Sequence, residues 1–514
     1  MSSEPTPVDG QNEGLDRRLL AIASVVVLGA IMSILDTTVV NVAINTLSRD
    51  FETDLATIQW IVTGYTLALA TVIPVTGWAA DRFGTKRLYI LAIVLFVAGS
   101  ALCGAAWSAE SLIFFRVLQG LGGGMLMPAG MTILTRAAGP QRVGRVMAII
   151  GIPMMLGPIL GPILGGWLVD DFSWRWIFFI NLPIGAVAFF LSLRILPKDE
   201  PEAGERFDVL GLALLSPGLA LAIYGLAESA SEGGFGHTMV IGPMLVGFAL
   251  IIGFVFHALR TPHALIDLRL FKNRTFAVAA GTLTLMIISV FGAMLLLPLY
   301  LQAVRGESAF DSGLLLAPQG IGAMLAMPIA GTLADRTGIG KLVIPGLLLI
   351  GVTFVGLTQL TGDTSYWTLS AILFAQGIGM GFTMMPLMTG ALQTLRKVQV
   401  ARASTSLNII QQVGASIGTA VMSVILTVAL SDRFPDSGGS GASPESGLGG
   451  TGANLPLQIR DLMTEAFTHT FWWATALIIP ALLAAFLLPR RKPAPVEGDE
   501  EGGAGDAAPV LIHA

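Results

Sequence analysis

Two charged residues stand alone inside long apolar runs. Asp36 is the single charge in ILDTTVVNVAI (34–44), and Arg116 is the single charge in FFRVLQGLGGGMLMPAG (114–130). A charge at the middle of a membrane helix costs about 2.5–3.5 kcal/mol on insertion scales, so it persists only where it has a task. A carboxyl in such a place can take up and release a proton. Apolar surroundings favour the neutral acid, and a neighbouring guanidinium favours the carboxylate. By helical rise, Asp36 lies ~12 Å and Arg116 ~6–9 Å below the outer ends of their runs. The two are therefore expected within reach of each other, directly or through water.

The elements that must position them are membrane spans. Of 514 residues, 54% are hydrophobic and 12% are charged, about half the charged fraction of a soluble domain. Mean hydropathy is +0.75. Apolar runs reach the ~20 residues that cross a bilayer, and backbone satisfaction in lipid makes them helices. The reading is an all-α integral membrane protein of fourteen transmembrane helices. The first seven are 19–44, 56–77, 88–106, 110–133, 145–168, 176–195 and 209–228. The second seven are 240–259, 276–302, 313–333, 342–360, 367–394, 403–430 and 468–489. Residues 1–18 form a polar tail with no basic leader, so the first span is expected to stay as an uncleaved anchor.

An even span count puts both ends on one side, and the distribution of bases says which. The segments assigned to the outside hold Arg49, Arg175, Arg305, Arg433 and Arg460, while Arg116 lies within the fourth span. Every other Lys and Arg falls on the inner segments, so both termini are expected in the cytoplasm of a multi-pass cell-membrane protein. Residues 431–465 read as a flexible external loop rich in Gly and Ser, and 490–514 as a disordered cytoplasmic tail. The single cysteine, Cys103, excludes an internal disulfide and reads as packing.

The chain repeats itself. GWAADRFG (77–84) matches GTLADRTG (331–338) at an offset of 254, and QGLGGGMLMP (119–128) matches QGIGMGFTMMP (376–386), glutamine to glutamine, at 257. Arg145 and Arg402, Gly157 and Gly414, and Gly161 and Gly418 share the offset of 257. Two six-helix pseudo-repeats follow, residues 19–206 and 263–489, with two inserted helices at 207–262. Parallel repeats of this kind place a substrate site between the halves near mid-membrane. A static ion pair holding two helices would be the simpler reading of Asp36 and Arg116. The repeat argues against it, because the second half builds the same helices without charge, with Leu373 at the place of Arg116.

These motifs carry a resemblance. GWAADRFGTKR (77–87) resembles the loop signature of the major facilitator superfamily, and 114–130 its fourth-helix signature. GIPMMLGPILGPILGGWL (151–168) resembles the fifth-helix signature of antiporters. LDTTVVNVAI (35–44), Gln59-Trp60 and WRWIFFINLPIG (174–185) resemble the fourteen-helix drug–proton antiporter branch, the EmrB/QacA type. The resemblance implies alternating access, with drug export in exchange for protons. Asp36 would carry the proton and Arg116 would set its proton affinity. It implies that Gly77, Asp81, Arg82, Gly84, Lys86 and Arg87 form a gating loop that latches the halves. Gly157, Pro158, Gly161, Pro162 and Gly165 would form the antiporter helix, a hinge or leak barrier.

A substrate cavity needs apolar breadth and a few hydrogen-bonding points. Its candidates are Asn41, Trp60, Tyr65, Gln119, Met154, Phe291, Gln376, Asn408, Gln411 and Gln412. Expected partners are membrane lipid, protons and hydrophobic or cationic small molecules, with no nucleic acid. No phosphate-binding loop of the GxxxxGK[ST] type occurs, so no ATP is expected, and no cofactor; the proton gradient drives the cycle. The five histidines are scattered without zinc spacing, and no metal is expected. The alternatives are a dedicated exporter of a metabolite, siderophore or lipid, and a proton symporter. A membrane-embedded enzyme has no motif to support it.

Overall fold

The computed structural model describes residues 17–53, 55–138, 157, 160–161, 163–198, 208–231, 236–261, 264–266, 268–393, 395, 397–433 and 457–490. All regular structure among them is helical. In chain order the helices are α1 (Arg17–Asp50), α2 (Leu55–Phe83), α3 (Thr85–Gly104), α4 (Ala109–Ala138), α5 (163–171), α6 (Trp176–Phe179) and α7 (Asn181–Ile195). Then come α8 (Val209–Ser231), α9 (Thr238–Arg260), a 3-10 turn (Leu268–Lys272), α10 (Arg274–Ala303) and α11 (Ala309–Thr337). The chain finishes with α12 (Gly340–Leu357), α13 (Tyr366–Gln393), α14 (Lys397–Arg433) and α15 (Leu457–Ala485).

With α6 and α7 counted together as 176–195, thirteen of these are long and apolar enough to cross a membrane, and the chain is a multi-pass membrane protein. They correspond to every expected span except the fifth, 145–168, most of which lies outside the described residues. The helices outrun the apolar stretches that define them. α15 begins at Leu457, inside the segment read as loop 431–465 and before the expected start at 468. Its first turns carry Arg460, Asp461 and Glu465, charges that a hydropathy reading assigns to water. Arg460 bonds Asp363 at 2.9 Å, which holds this polar end against the loop before α13.

The cores divide between the helices before α8 and those from α10 onward. One spans α1–α4 and α7 around Tyr65, Tyr89 and Phe96, and a second, toward the C-terminal end of α1, gathers Val39, Leu47, Ile61, Leu112 and Phe178. From α10 onward a single larger core holds Tyr300, Phe354, Phe467 and Phe471. Among the earlier helices α4 lies along α2 and α3, and α7 along α1 and α3; among the later ones, α13 lies along α11 and α12, and α15 along α10 and α12. α8 links the helices before it to those after α9. α8 packs on α2 and on α14, where Ile73, Leu215, Leu219 and Ile409 share a small core. The Ser216 hydroxyl donates to the Thr71 carbonyl at 2.8 Å.

Glycines set how close the helices come. A Cβ at Gly120 would meet the Tyr65 carbonyl at 2.7 Å, and one at Gly122 would meet the Phe96 amide at 2.5 Å. On α13, Gly377 faces the Gln319 backbone and Gly379 the Gly346 carbonyl in the same way.

Candidate functional site

The site begins on α1. Asp36 sits in a helix whose threonines are satisfied locally: Thr37 donates to the Ser33 carbonyl at 2.9 Å and Thr38 to the Ile34 carbonyl at 3.1 Å. Both fold back on the preceding turn, as hydroxyls in apolar surroundings do. Asp36 has no such local outlet and is 1% exposed. Its partners come from other helices.

Arg116 and Gln119 stand one turn apart on α4, so they share a face. Arg116 Nη1 meets Asp36 Oδ2 at 2.5 Å, and Gln119 Nε2 donates to Asp36 Oδ1 at 2.8 Å. Arg116 Nη1 also donates to Gln119 Oε1 at 2.8 Å, which fixes the orientation of the amide. Arg116 Nε donates to the Ile61 carbonyl of α2 at 3.2 Å. The guanidinium carbon lies 3.9 Å from the centroid of the Tyr65 ring, an aromatic face for the cation. Arg116 and Tyr65 are both 0% exposed. A buried pair is stable only when its remaining donors and acceptors are also met, and most of them are met here.

The network reaches further than the sequence indicated. Asn181, the first residue of α7, donates through Nδ2 to Asp36 Oδ1 at 3.1 Å and to Ser100 Oγ of α3 at 3.0 Å. The Ser100 hydroxyl donates in turn to the Phe178 carbonyl at 2.9 Å. Cys103, read as packing, has its thiol 3.5 Å from Gln119 Oε1, a weak donor on an acceptor shared with Arg116. Sequence reasoning passed over Asn181 and Ser100. The available signal was the amide inside WRWIFFINLPIG, a polar group in an apolar run that needs a partner.

The helical residues of the fifth span that are described lie against α1 on either side of Asp36. Gly157 faces Ile34, Gly161 faces Thr38 and Gly165 faces Val39. Thr38 Oγ1 also donates to the Gly157 carbonyl at 3.2 Å. Pro158 and Pro162 lie outside the described residues.

In the expected gating loop, Gly84 adopts φ 94 and ψ 143, a backbone region essentially closed to other residues. Lys86 Nζ donates to the Leu193 and Leu196 carbonyls, each at 2.8 Å, so it caps α7 of its own half. Gly77 has open space at its Cβ position, and Arg82 and Arg87 are exposed. The side chain of Asp81 lies outside the described residues.

The residues named for a cavity do not converge on one place. Tyr65 and Gln119 belong to the buried cluster around Asp36. Trp60 stacks 5.1 Å from Tyr224 of α8. Gln376 accepts from Gln319 Nε2 at 3.0 Å, and Gln411 Nε2 reaches Met388 Sδ at 3.5 Å. Phe291 is 36% exposed, and Asn408 and Gln412 are half-buried on α14. The side chain of Asn41, and Met154 altogether, lie outside the described residues. Among the described residues no group of three or more His, Cys, Asp or Glu is arranged to hold a metal ion.

A bundle of membrane-crossing helices, with a buried carboxylate–guanidinium pair between α1 and α4, defines a membrane transporter rather than an enzyme. The chain belongs to the Major Facilitator Superfamily, which it matches over residues 26–419. It is 46% identical over 507 residues to the "Multidrug resistance protein B homolog" of Mycobacterium tuberculosis (strain ATCC 25618 / H37Rv), covering 95% of this chain and 93% of that one. It is 33% identical over 406 residues to the "Multidrug export protein EmrB" of Haemophilus influenzae, with 78% and 79% covered. A bacterial homolog of the human lysosomal transporter Spinster, solved inward-facing and unoccupied, shares the fold at TM-score 0.60 and 16% identity, with 94% of this chain and 100% of that chain covered.

Proposed function

We propose that this protein exports hydrophobic or cationic drugs in exchange for protons, by alternating access of two six-helix halves. Drug export rests on the two relatives above, named for multidrug resistance and multidrug export. Proton exchange rests on one observation: Asp36 and Arg116 form an ion pair with neither side chain exposed. Protonating Asp36 neutralises one partner of that pair and changes what Arg116, Gln119 and Asn181 must bond to. Exchange follows if protonated Asp36 and bound drug exclude each other. No ATP takes part in this scheme.

Fourteen spans, a parallel pseudo-repeat and cytoplasmic termini complete the reading. The repeat is supported by matched contacts. Gly122 and Gly379, 257 apart, approach Ala92 with Phe96 and Gly346 with Ile350, each pair 254 apart. Gly124 and Gly381, again 257 apart, approach Leu69 with Val72 and Ala323 with Ala326, again 254 apart. The charged pair has no such copy: Leu373, opposite Arg116 in the repeat, is buried in the apolar core. The halves would rock about α8 and α9, and the loop at 77–87 would latch them.

The test is uptake of a fluorescent cationic dye into everted vesicles under an imposed pH gradient. Wild type is expected to accumulate dye only while the gradient stands, and Asp36→Asn to lose that dependence. Wild-type coupling in Asp36→Asn would sink the role given to the carboxylate.

A further inference from the structure

We propose that Asn181 is a positioning residue that reads the protonation state of Asp36 by turning its side-chain amide, an inference that rests on the proton-site reading of Asp36. Asn181 Oδ1 is buried without a hydrogen-bond partner, while Nδ2 serves both Asp36 and Ser100. The side chain is 1% exposed, so water offers no ready substitute. A half-turn about χ2 exchanges the oxygen and nitrogen of an amide at almost constant shape.

The charge on Asp36 decides which orientation is stable. The carboxylate accepts from Arg116 Nη1, Gln119 Nε2 and Asn181 Nδ2. With the amide turned, two oxygens would face each other and repel. Protonation at Oδ1 makes that oxygen a donor, and it then faces two amide nitrogens that also donate. Gln119 Oε1 already accepts from Arg116 and faces the Cys103 thiol. Asn181 Oδ1 is an unused acceptor on a residue that already touches Asp36 Oδ1, and turning the amide delivers it. The charged and titratable groups around this pair are Arg116 of α4, Cys103 of α3 and Tyr65 of α2. Tyr65 also has a buried hydroxyl without a hydrogen-bond partner, but no hydrogen bond joins it to Asp36, whereas Asn181 already touches Oδ1.

Ser100 biases the switch. Its hydroxyl hydrogen goes to the Phe178 carbonyl, so Oγ presents a lone pair to Asn181 Nδ2. A turned amide would present oxygen to that lone pair. Ser100 therefore holds the orientation that suits the carboxylate, and the turn would loosen α7 from α3 at the break between α6 and α7. Proton uptake would reach the helix junction by this route.

The test is infrared difference spectroscopy on the full-length protein in liposomes across a pH series. The acid carbonyl band of Asp36 is the one that Asp36→Asn removes. In Asn181→Leu that band is expected to shift upward, to the position of a carboxyl with no acceptor. In Ser100→Ala its pH midpoint is expected to rise, by about five- to tenfold in proton affinity for one lost hydrogen bond. Should Asn181→Leu fail to fold, Ser100→Ala, which removes a single oxygen, decides alone. An unmoved band in Asn181→Leu or an unmoved midpoint in Ser100→Ala overturns the switch. A wild-type spectrum in which Asp36→Asn removes no band overturns the proton-site reading itself, and the switch with it.

Discussion

Gly84 and Gly338 lie 254 residues apart and hold nearly the same backbone, φ 94 with ψ 143 and φ 88 with ψ 143. Each turns the chain between two consecutive helices, Gly84 between α2 and α3 and Gly338 between α11 and α12. A Cβ in this region costs on the order of 1–3 kcal/mol. Gly84→Ala and Gly338→Ala are expected to lower the thermal unfolding midpoint in detergent. Gly77→Ala and Gly331→Ala, in open space within helices, are expected to leave it unchanged or raise it. Equal behaviour of the four variants would contradict this account.

The buried pair predicts a strong asymmetry between breaking it and removing it. Arg116→Leu leaves Asp36 without its cation and is expected to destabilise the protein by about 3–5 kcal/mol. Asp36→Asn combined with Arg116→Leu removes both charges and is expected to recover much of that loss, without transport. A double-mutant cycle on unfolding free energies measures the coupling. Additive effects would mean that the two residues do not act as a pair.

Mutual exclusion of proton and drug predicts proton release on binding. Adding a cationic substrate to purified protein in weak buffer is expected to acidify the solution, by up to one proton per substrate bound. Asp36→Asn should bind without acidification. A pH electrode or an indicator dye reads this directly, and binding without release in wild type would remove Asp36 from the exchange.

The glycines facing α1 should tolerate no side chain. Thr38 stands where the Cβ of Gly161 would go, and Ile34 where that of Gly157 would go. Gly161→Val is expected to push the fifth span away from α1, costing about 1–3 kcal/mol and abolishing transport. Unchanged transport in this variant would show that the close approach beside Asp36 is dispensable.

Much of the molecule was legible because its determinants are local. Span length and hydropathy are properties of consecutive residues, so thirteen of the expected spans reappear as helices. Asp36 and Arg116 stood out for the same reason: a charge in an apolar run needs no third dimension to be conspicuous. Helix ends were less legible. The start of α15 at Leu457 is charged, and it is helical because backbone hydrogen bonds and the Arg460–Asp363 pair hold it there, which hydropathy does not measure.

By itself, then, the sequence determined the membrane class, the helical spans and the two buried charges. Tertiary structure alone decided the company that Asp36 keeps beyond Arg116. Asn181 is 145 residues from it along the chain, and Ser100 enters only through Asn181. A polar side chain in an apolar helix announces that it needs a partner, but partnership depends on which helix faces turn toward each other. The glycine faces of α4 and of the fifth span set that geometry, by letting backbones approach where side chains would hold them apart. The same convergence drew Gln119 onto the carboxylate and Tyr65 onto the guanidinium, although their types alone suited a drug-binding surface equally well.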